Sequence, residues 1–172
     1  MLISKKINDA INQQIGNEFG ASLQYVAIAA HFDEEALPQL AAHFYKQAEE
    51  ERDHAMRFVK FIVEADGQVV IPTVNAPKNK FASAEEAVKL SLDWEVEVTN
   101  QIHKLVDLAK KEVNYTTDNF LQWFVKEQLE EVSSMDALLK VIRRAGEGGL
   151  LRVEEWLARK AGQTPMAEED LS

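Results

Sequence analysis

Residues Glu49 to Phe58 read EEERDHAMRF. Glu51 and His54 stand three apart in this stretch, and the segment around it carries Phe44, Phe58 and Phe61. Positions three or four apart share one face of a helix. A carboxylate and an imidazole therefore lie on the side of the phenylalanines, which is the side that seeks the core. The pattern extends both ways. Pro38, suited to a first helical turn, opens it. Leu40, Phe44, Gln47, Glu51, His54, Phe58, Phe61 and Ala65 follow, and Gly67 is expected to end it.

Three further segments keep the same rhythm. From Ser4, the stripe runs Ile7, Ile11, Gln14, Glu18, Ala21, Tyr25, Ile28, Phe32. The third segment begins with the capping box Ser83-Ala84-Glu85-Glu86 and runs Val88, Leu92, Glu95, Thr99, Ile102, Val106, Ala109, Val113. The fourth starts near Thr117 and runs Phe120, Phe124, Glu127, Glu131, Ser134, Leu138, Val141, Ala145. Beside it lies a row of Leu121, Gln128, Met135 and Ile142. A short fifth segment, Leu150 to Lys160, follows Gly148-Gly149.

Helices of about 30 residues are ~45 Å long. Such lengths suit a bundle better than an ordinary globular fold. Short links make helices one and two, and three and four, antiparallel neighbours. The link from Gly67 to Ala82 holds Val69-Val70-Ile71-Pro72 and Pro77. At about 3.3 Å per extended residue it can run the length of the bundle. The expectation is an all-α chain: a four-helix bundle with one long crossover between helices two and three, plus a short C-terminal fifth helix. Residues 1–161 form the single domain and 162–172 a flexible tail.

Composition narrows the function. There are no cysteines among the 172 residues, which removes disulfides, thiolate metal sites and cysteine nucleophiles. No apolar run approaches the ~20 residues that span a bilayer, and none resembles a signal peptide. The expectation is a cytoplasmic protein without a membrane partner. A net charge of −10 repels nucleic acid and draws cations.

The chemistry sits where acids interrupt the stripes. Glu18, Glu51, Glu95 and Glu131 each fall within about one turn of a helix midpoint, so the four converge with His54 at one level. Two like charges 4 Å apart repel by ~4 kcal/mol even at an effective dielectric of 20. Either the carboxylates take up protons or cations bind among them. Two divalent ions balance four carboxylates, and Glu51 and His54 point the same way and can ligate one of them. Oxygen-rich ligation with one imidazole admits Fe, Mn or Zn.

These residues resemble the non-haem bacterial ferritins. The likeness covers Met1 to about Lys160 and is densest at residues 17–25 (NEFGASLQY), 50–55 (EERDHA) and 122–131 (QWFVKEQLEE). It implies the ferritin-like topology and an iron-storage protein with ferroxidase activity. One iron site would be Glu18, Glu51 and His54; the second would be Glu51, Glu95 and Glu131, with Glu51 bridging and Gln128 nearby. A third iron site would be Glu50, Glu127 and Glu130. Tyr25 and Trp123 match aromatics that supply electrons, although core packing accounts for them equally well.

The resemblance also implies a homo-oligomeric shell of 24 subunits, taking iron and O2 or peroxide, with no nucleic-acid partner. The fifth segment matches the short terminal helix of such shells. No haem is expected, because haem-binding relatives carry Met where this chain has Arg52. The run Gln128-Leu129-Glu130-Glu131 lacks the second Glu-x-x-His of the rubrerythrin-like oxidases. The second ion would then be held without an imidazole and released more readily. A row of Phe19, Leu23, Val26 and Ala30 on helix one suits a subunit interface or a broad core-facing stripe. Asp118, at the start of helix four, is a channel residue by position alone. The rival reading is a di-iron oxidase that keeps its metals and acts on an organic substrate.

Overall fold

The computed structural model describes residues 2–163. It comprises α1 (Lys5–Glu34), α2 (Pro38–Glu64), α3 (Ala84–Lys111), α4 (Tyr115–Ala145), a single 3-10 turn at Glu147–Gly149, and α5 (Leu150–Gln163). No strand occurs among the described residues. No described helix is long and apolar enough to cross a membrane. α1 packs mainly on α2, and α3 on α4; α1 also meets α3, and α5 lies against α2 and α4.

Local chemistry sets the helix starts. Ser4, Ser83 and Asn114 each accept a hydrogen bond from the amide three residues on, at 3.1, 3.0 and 3.0 Å. Asn114 is why α4 begins at Tyr115, two residues before the Thr117 expected from periodicity. The Ser83 box is modified: Glu86 reaches back to the amide of Ala82.

The ends of α1, α2 and α3 share one device. Ala36, Asp66 and Val113 adopt φ of 58°, 56° and 54°. The next amide in each case bonds back into the last turn: Leu37 to Phe32 O, Gly67 to Ile62 O, Asn114 to Ala109 O. α2 therefore turns at Asp66 rather than at Gly67. Gly67 is needed for another reason, since a Cβ there would fall 2.4 Å from Asn8 Oδ1. Val113, expected on the third apolar stripe, lies outside α3 and is 64% exposed. A β-branched residue in the left-handed region costs about 1–2 kcal/mol. Val113→Gly should thus raise stability by about 1 kcal/mol after the extra unfolded-state entropy is deducted, measured as a higher denaturation midpoint.

Two apolar clusters fill the bundle. One joins the C-terminal half of α1, the N-terminal halves of α2 and α3, the C-terminal half of α4, and Val153 and Leu157 of α5. The other joins the opposite halves, with Phe58, Phe61, Phe120 and Phe124 stacked together. α2 ends in the second cluster and α3 starts in the first. The crossover, residues 67–83, therefore runs the length of the bundle.

Side-chain amides of α1 clamp it there. Asn8 and Asn12 donate to Gln68 O at 3.0 and 2.8 Å and accept from the amides of Gln68 and Val70. Gln24 makes the same two-way pair with Lys78. Gly16 lets Pro72 seat against α1, because a Cβ at Gly16 would lie 2.3 Å from the proline ring.

α5 continues to Gln163, past Lys160 and into the first two residues assigned to the tail. The remainder of that tail, residues 164–172, lies outside the described residues. Leu23 and Val26 are exposed on α1, whereas Phe19 of the same row packs against the second cluster.

Candidate metal centre

Between the two apolar clusters the bundle carries a polar belt. Glu18, Glu51 and Glu95 are fully buried, and His54, Glu131 and Gln128 nearly so. Each acid comes from near the middle of a different long helix, and antiparallel packing brings the middles together. Ligating atoms of Glu18, Glu51 and His54 lie within 4.8 Å of one another, as do those of Glu51, Glu95 and Glu131. Glu51 belongs to both groups. His54, Glu127 and Glu131 make a third such group.

The hydrogen bonds leave one set of atoms bare. Gln14 donates to Glu18 Oε1 at 2.8 Å. Tyr25 donates to Glu95 Oε1, and Gln128 donates to Glu95 Oε2 at 3.1 Å. Glu18 Oε2, both oxygens of Glu51 and His54 Nδ1 are buried without a hydrogen-bond partner. His54 Nδ1 stands 3.5 Å from Glu51 Oε2 and 4.0 Å from Glu18 Oε2. Its Nε2 faces Glu127 Oε1 at 3.9 Å. A buried unpartnered polar atom costs about 1–3 kcal/mol, more when charged. The bare set is the donor set of a hard or borderline cation.

Titration follows from burial. Desolvation drives Glu18 and Glu51 well above the usual carboxylate range, with repulsion from Glu51 and Glu95 respectively adding to it. Glu95 is also raised by burial, against the pull of the bonds from Tyr25 and Gln128. Burial, then Glu95, pushes Glu131 up to about 8. Tyr25 is driven up by burial and by Glu95.

Glu131 sets a sign for the metal-free protein. Its folded value lies above the unfolded one, so its contribution is fully present below about pH 4.5 and is lost as pH rises through 8. Stability should fall by about 2 kcal/mol from pH 6 to pH 8. Denaturant melts of the metal-free protein against Glu131→Gln measure this, and the variant should lose that part of the pH dependence.

The remaining expected residues divide. Glu50 and Glu127 are half-buried and Glu130 is exposed. All three line a cleft of about 390 Å³ beside the centre, but they do not form a compact three-ligand group; Glu127 instead groups with His54 and Glu131. Tyr25 is inside, on Glu95. Trp123 is at the rim, its ring 5.5 Å from that of His54 and covered by the Arg57 guanidinium at 3.9 Å. Asp118 lies in the first turn of α4 and accepts from Gln122. Sequence reasoning missed Gln14, which steers Glu18, and Thr99, whose hydroxyl shares the Gln128 amide. The signal for Gln14 was its place on the apolar stripe four residues before Glu18.

The ferritin-like domain family matches residues 8–145. Ferritin BfrB of Mycobacterium tuberculosis, strain Erdman, is 45% identical over 162 residues, covering 94% of this chain and 89% of that protein. A bacterial non-heme ferritin of Staphylococcus aureus is 35% identical over 146 residues, covering 85% and 88%. An open pore ferritin from Archaeoglobus fulgidus superposes with a TM-score of 0.87 at 35% identity, covering 91% of this chain and 98% of that one. With a centre of bare carboxylates in a bundle of this topology, the chain belongs to the ferritin family.

Proposed function

We propose that the chain stores iron, oxidising Fe2+ to Fe3+ at a dinuclear centre inside each bundle and holding the product as a ferric mineral within a hollow shell. The observation that carries this reading is the set of buried, unpartnered ligand atoms on Glu18, Glu51 and His54. Fe2+ is the substrate, and O2 or peroxide takes its electrons.

Glu18, Glu51 and His54 hold the first ion; Glu51, Glu95 and Glu131 hold the second. Glu51 bridges, which keeps two one-electron donors close enough to reduce one oxidant molecule. Hard anionic oxygens favour Fe3+ over Fe2+ and so lower the cost of oxidation. Gln128 and Tyr25 position Glu95 rather than ligate, since each donates to its carboxylate. Without an imidazole the second ion is held less firmly, which suits transit toward a mineral. Glu50, Glu127 and Glu130 offer it the next landing point.

The shell is read as a cytoplasmic homo-oligomer of 24 chains. The exposed Leu23 and Val26 on α1 are suited to burial between subunits. Size-exclusion chromatography with metal analysis of the same fractions tests the whole reading. A 24-subunit elution position with retained ferric iron after aerobic loading is expected. A monomer or dimer that holds only about two irons per chain would favour a resident-metal oxidase instead.

A further inference from the structure

The carboxylates of the centre share the protein's own hydrogen bonds unequally. Glu95 accepts at both oxygens, from Tyr25 and from Gln128. Glu51 accepts at neither. Glu18 lies between them. Its Oε1 accepts from Gln14 Nε2 at 2.8 Å, while its Oε2 is bare and stands 4.0 Å from His54 Nδ1. One oxygen of Glu18 is thus tied to the protein, and the other faces the donor set of the first ion.

Gln14 is 2% exposed, on the buried stripe of α1, where an apolar residue would need no partners. A buried amide has to be matched at both ends, and this one is. Asn17 Nδ2 donates to Gln14 Oε1 at 3.2 Å, which leaves the amino end of Gln14 for Glu18. Asn17 Oδ1 in turn accepts from the exposed Gln13 Nε2, a long contact of 3.4 Å. Each step spans three or four residues of α1, the spacing at which helical side chains meet. The chain of amides therefore needs no tertiary partner and is in place before metal arrives.

A carboxylate that grips an ion with both oxygens fills two coordination positions; with one oxygen it fills one. An oxygen that already accepts an amide hydrogen is the poorer donor to a cation, because its lone-pair density is shared. We propose that Gln14, braced by Asn17, is a positioning residue that holds Glu18 as a single-oxygen ligand and so keeps a coordination position on the first ion open to the oxidant. The proposal rests on the ferroxidase reading for that oxidant. Glu51 has the opposite assignment: with neither oxygen tied, it gives one to each ion.

Gln14→Met tests this, since it keeps length and volume and lacks the donor. Crystals of the assembled protein loaded with Zn2+ read the contact without oxidation. In the parent, Glu18 Oε2 should lie about 2.0–2.2 Å from the ion, with Oε1 out of bonding reach on Gln14. In Gln14→Met both oxygens should close on the ion, and calorimetry should find Zn2+ bound at least as tightly. The kcat for Fe2+ oxidation should fall about tenfold, the scale of losing a partner that supports a metal ligand, with KM unchanged or lower. Asn17→Ala should act in the same direction to a smaller extent and add nothing to Gln14→Met, because it works through the same amide. It also carries the test if Gln14→Met does not fold.

Glu18 bound through both oxygens in the parent, or through one in Gln14→Met, would overturn the proposal. So would weaker Zn2+ binding and a raised KM at unchanged kcat, the mark of a merely structural role. A parent and variant that differ at Zn2+ as described, in a protein that fails to oxidise Fe2+, would sink the ferroxidase reading and leave Gln14 as the residue that sets how Glu18 binds metal.

Discussion

Glu51→Leu/His54→Leu should slow Fe2+ oxidation by about 100-fold or more while making the metal-free protein more stable. Glu51 is the one residue shared by both ligand groups, and His54 supplies the one imidazole among them. Losing both removes one ion and the bridge to the other, so the paired electron donors are gone. A change in a residue that merely supports a metal ligand already costs 10–100-fold, and removal of ligands themselves costs more. The stability gain has the opposite cause. In the absence of metal, Glu51 is a fully buried acid with both oxygens unpartnered, facing Glu18 and Glu95. Replacing buried charges by apolar groups of similar volume often stabilises by about 1–4 kcal/mol. Stopped-flow absorbance of the ferric product and thermal melts of the metal-free protein measure the two effects together. An unchanged oxidation rate would remove these residues from the reaction. Lost activity with lost stability would mean that the substitution had damaged the bundle.

Glu154→Ala should destabilise the chain by about 2–4 kcal/mol, through α2 rather than through α5 alone. α2 starts at Pro38 with no side-chain cap from Leu37. Glu154 of α5 supplies one from across the fold, its two oxygens accepting from the amides of Gln39 at 2.7 Å and Leu40 at 2.9 Å. A carboxylate there also meets the positive end of the helix dipole. Its loss strands two amides, that of Leu40 in buried surroundings. An N-cap is worth about 1 kcal/mol, and a stranded buried donor about 1–3 kcal/mol. Denaturant unfolding measures the sum, and Glu154→Gln should fall between, since an amide keeps one acceptor. A change within about 0.5 kcal/mol, the range of an ordinary surface substitution, would show that the contact carries no weight.

The legible parts of the sequence were those written in one period. Four apolar stripes gave four helices, and acids breaking the stripes near their middles gave a belt at one level, because antiparallel rods of similar length share a midpoint. The starts at Pro38 and Ser83 were legible because their chemistry is local. The crossover clamps were not. Asn8, Asn12 and Gln24 look like solvent-facing residues of an amphipathic helix, and only the returning chain gives their amides a partner. Glu154 was hidden for the same reason: nothing within α5 shows that another helix's first amides lie opposite it. The turn at Asp66 was assigned to Gly67 because glycine is the usual left-handed residue, whereas the crowding by Asn8 that fixes Gly67 is tertiary. The third group of acids was legible by position but not by geometry, since Glu127 groups with His54 and Glu131 rather than with Glu50 and Glu130.

The most direct test of the account is anomalous diffraction from crystals of the assembled protein soaked in Fe2+ without oxygen. Two peaks per chain are expected, about 3.5–4 Å apart as in other two-metal sites. One should be held by Glu18, Glu51 and His54 Nδ1, the other by Glu51, Glu95 and Glu131. Soaked crystals in which these atoms hold no iron, with Glu51 and His54 bonded to protein or water instead, would contradict the claim that iron is what the buried carboxylates are built to receive.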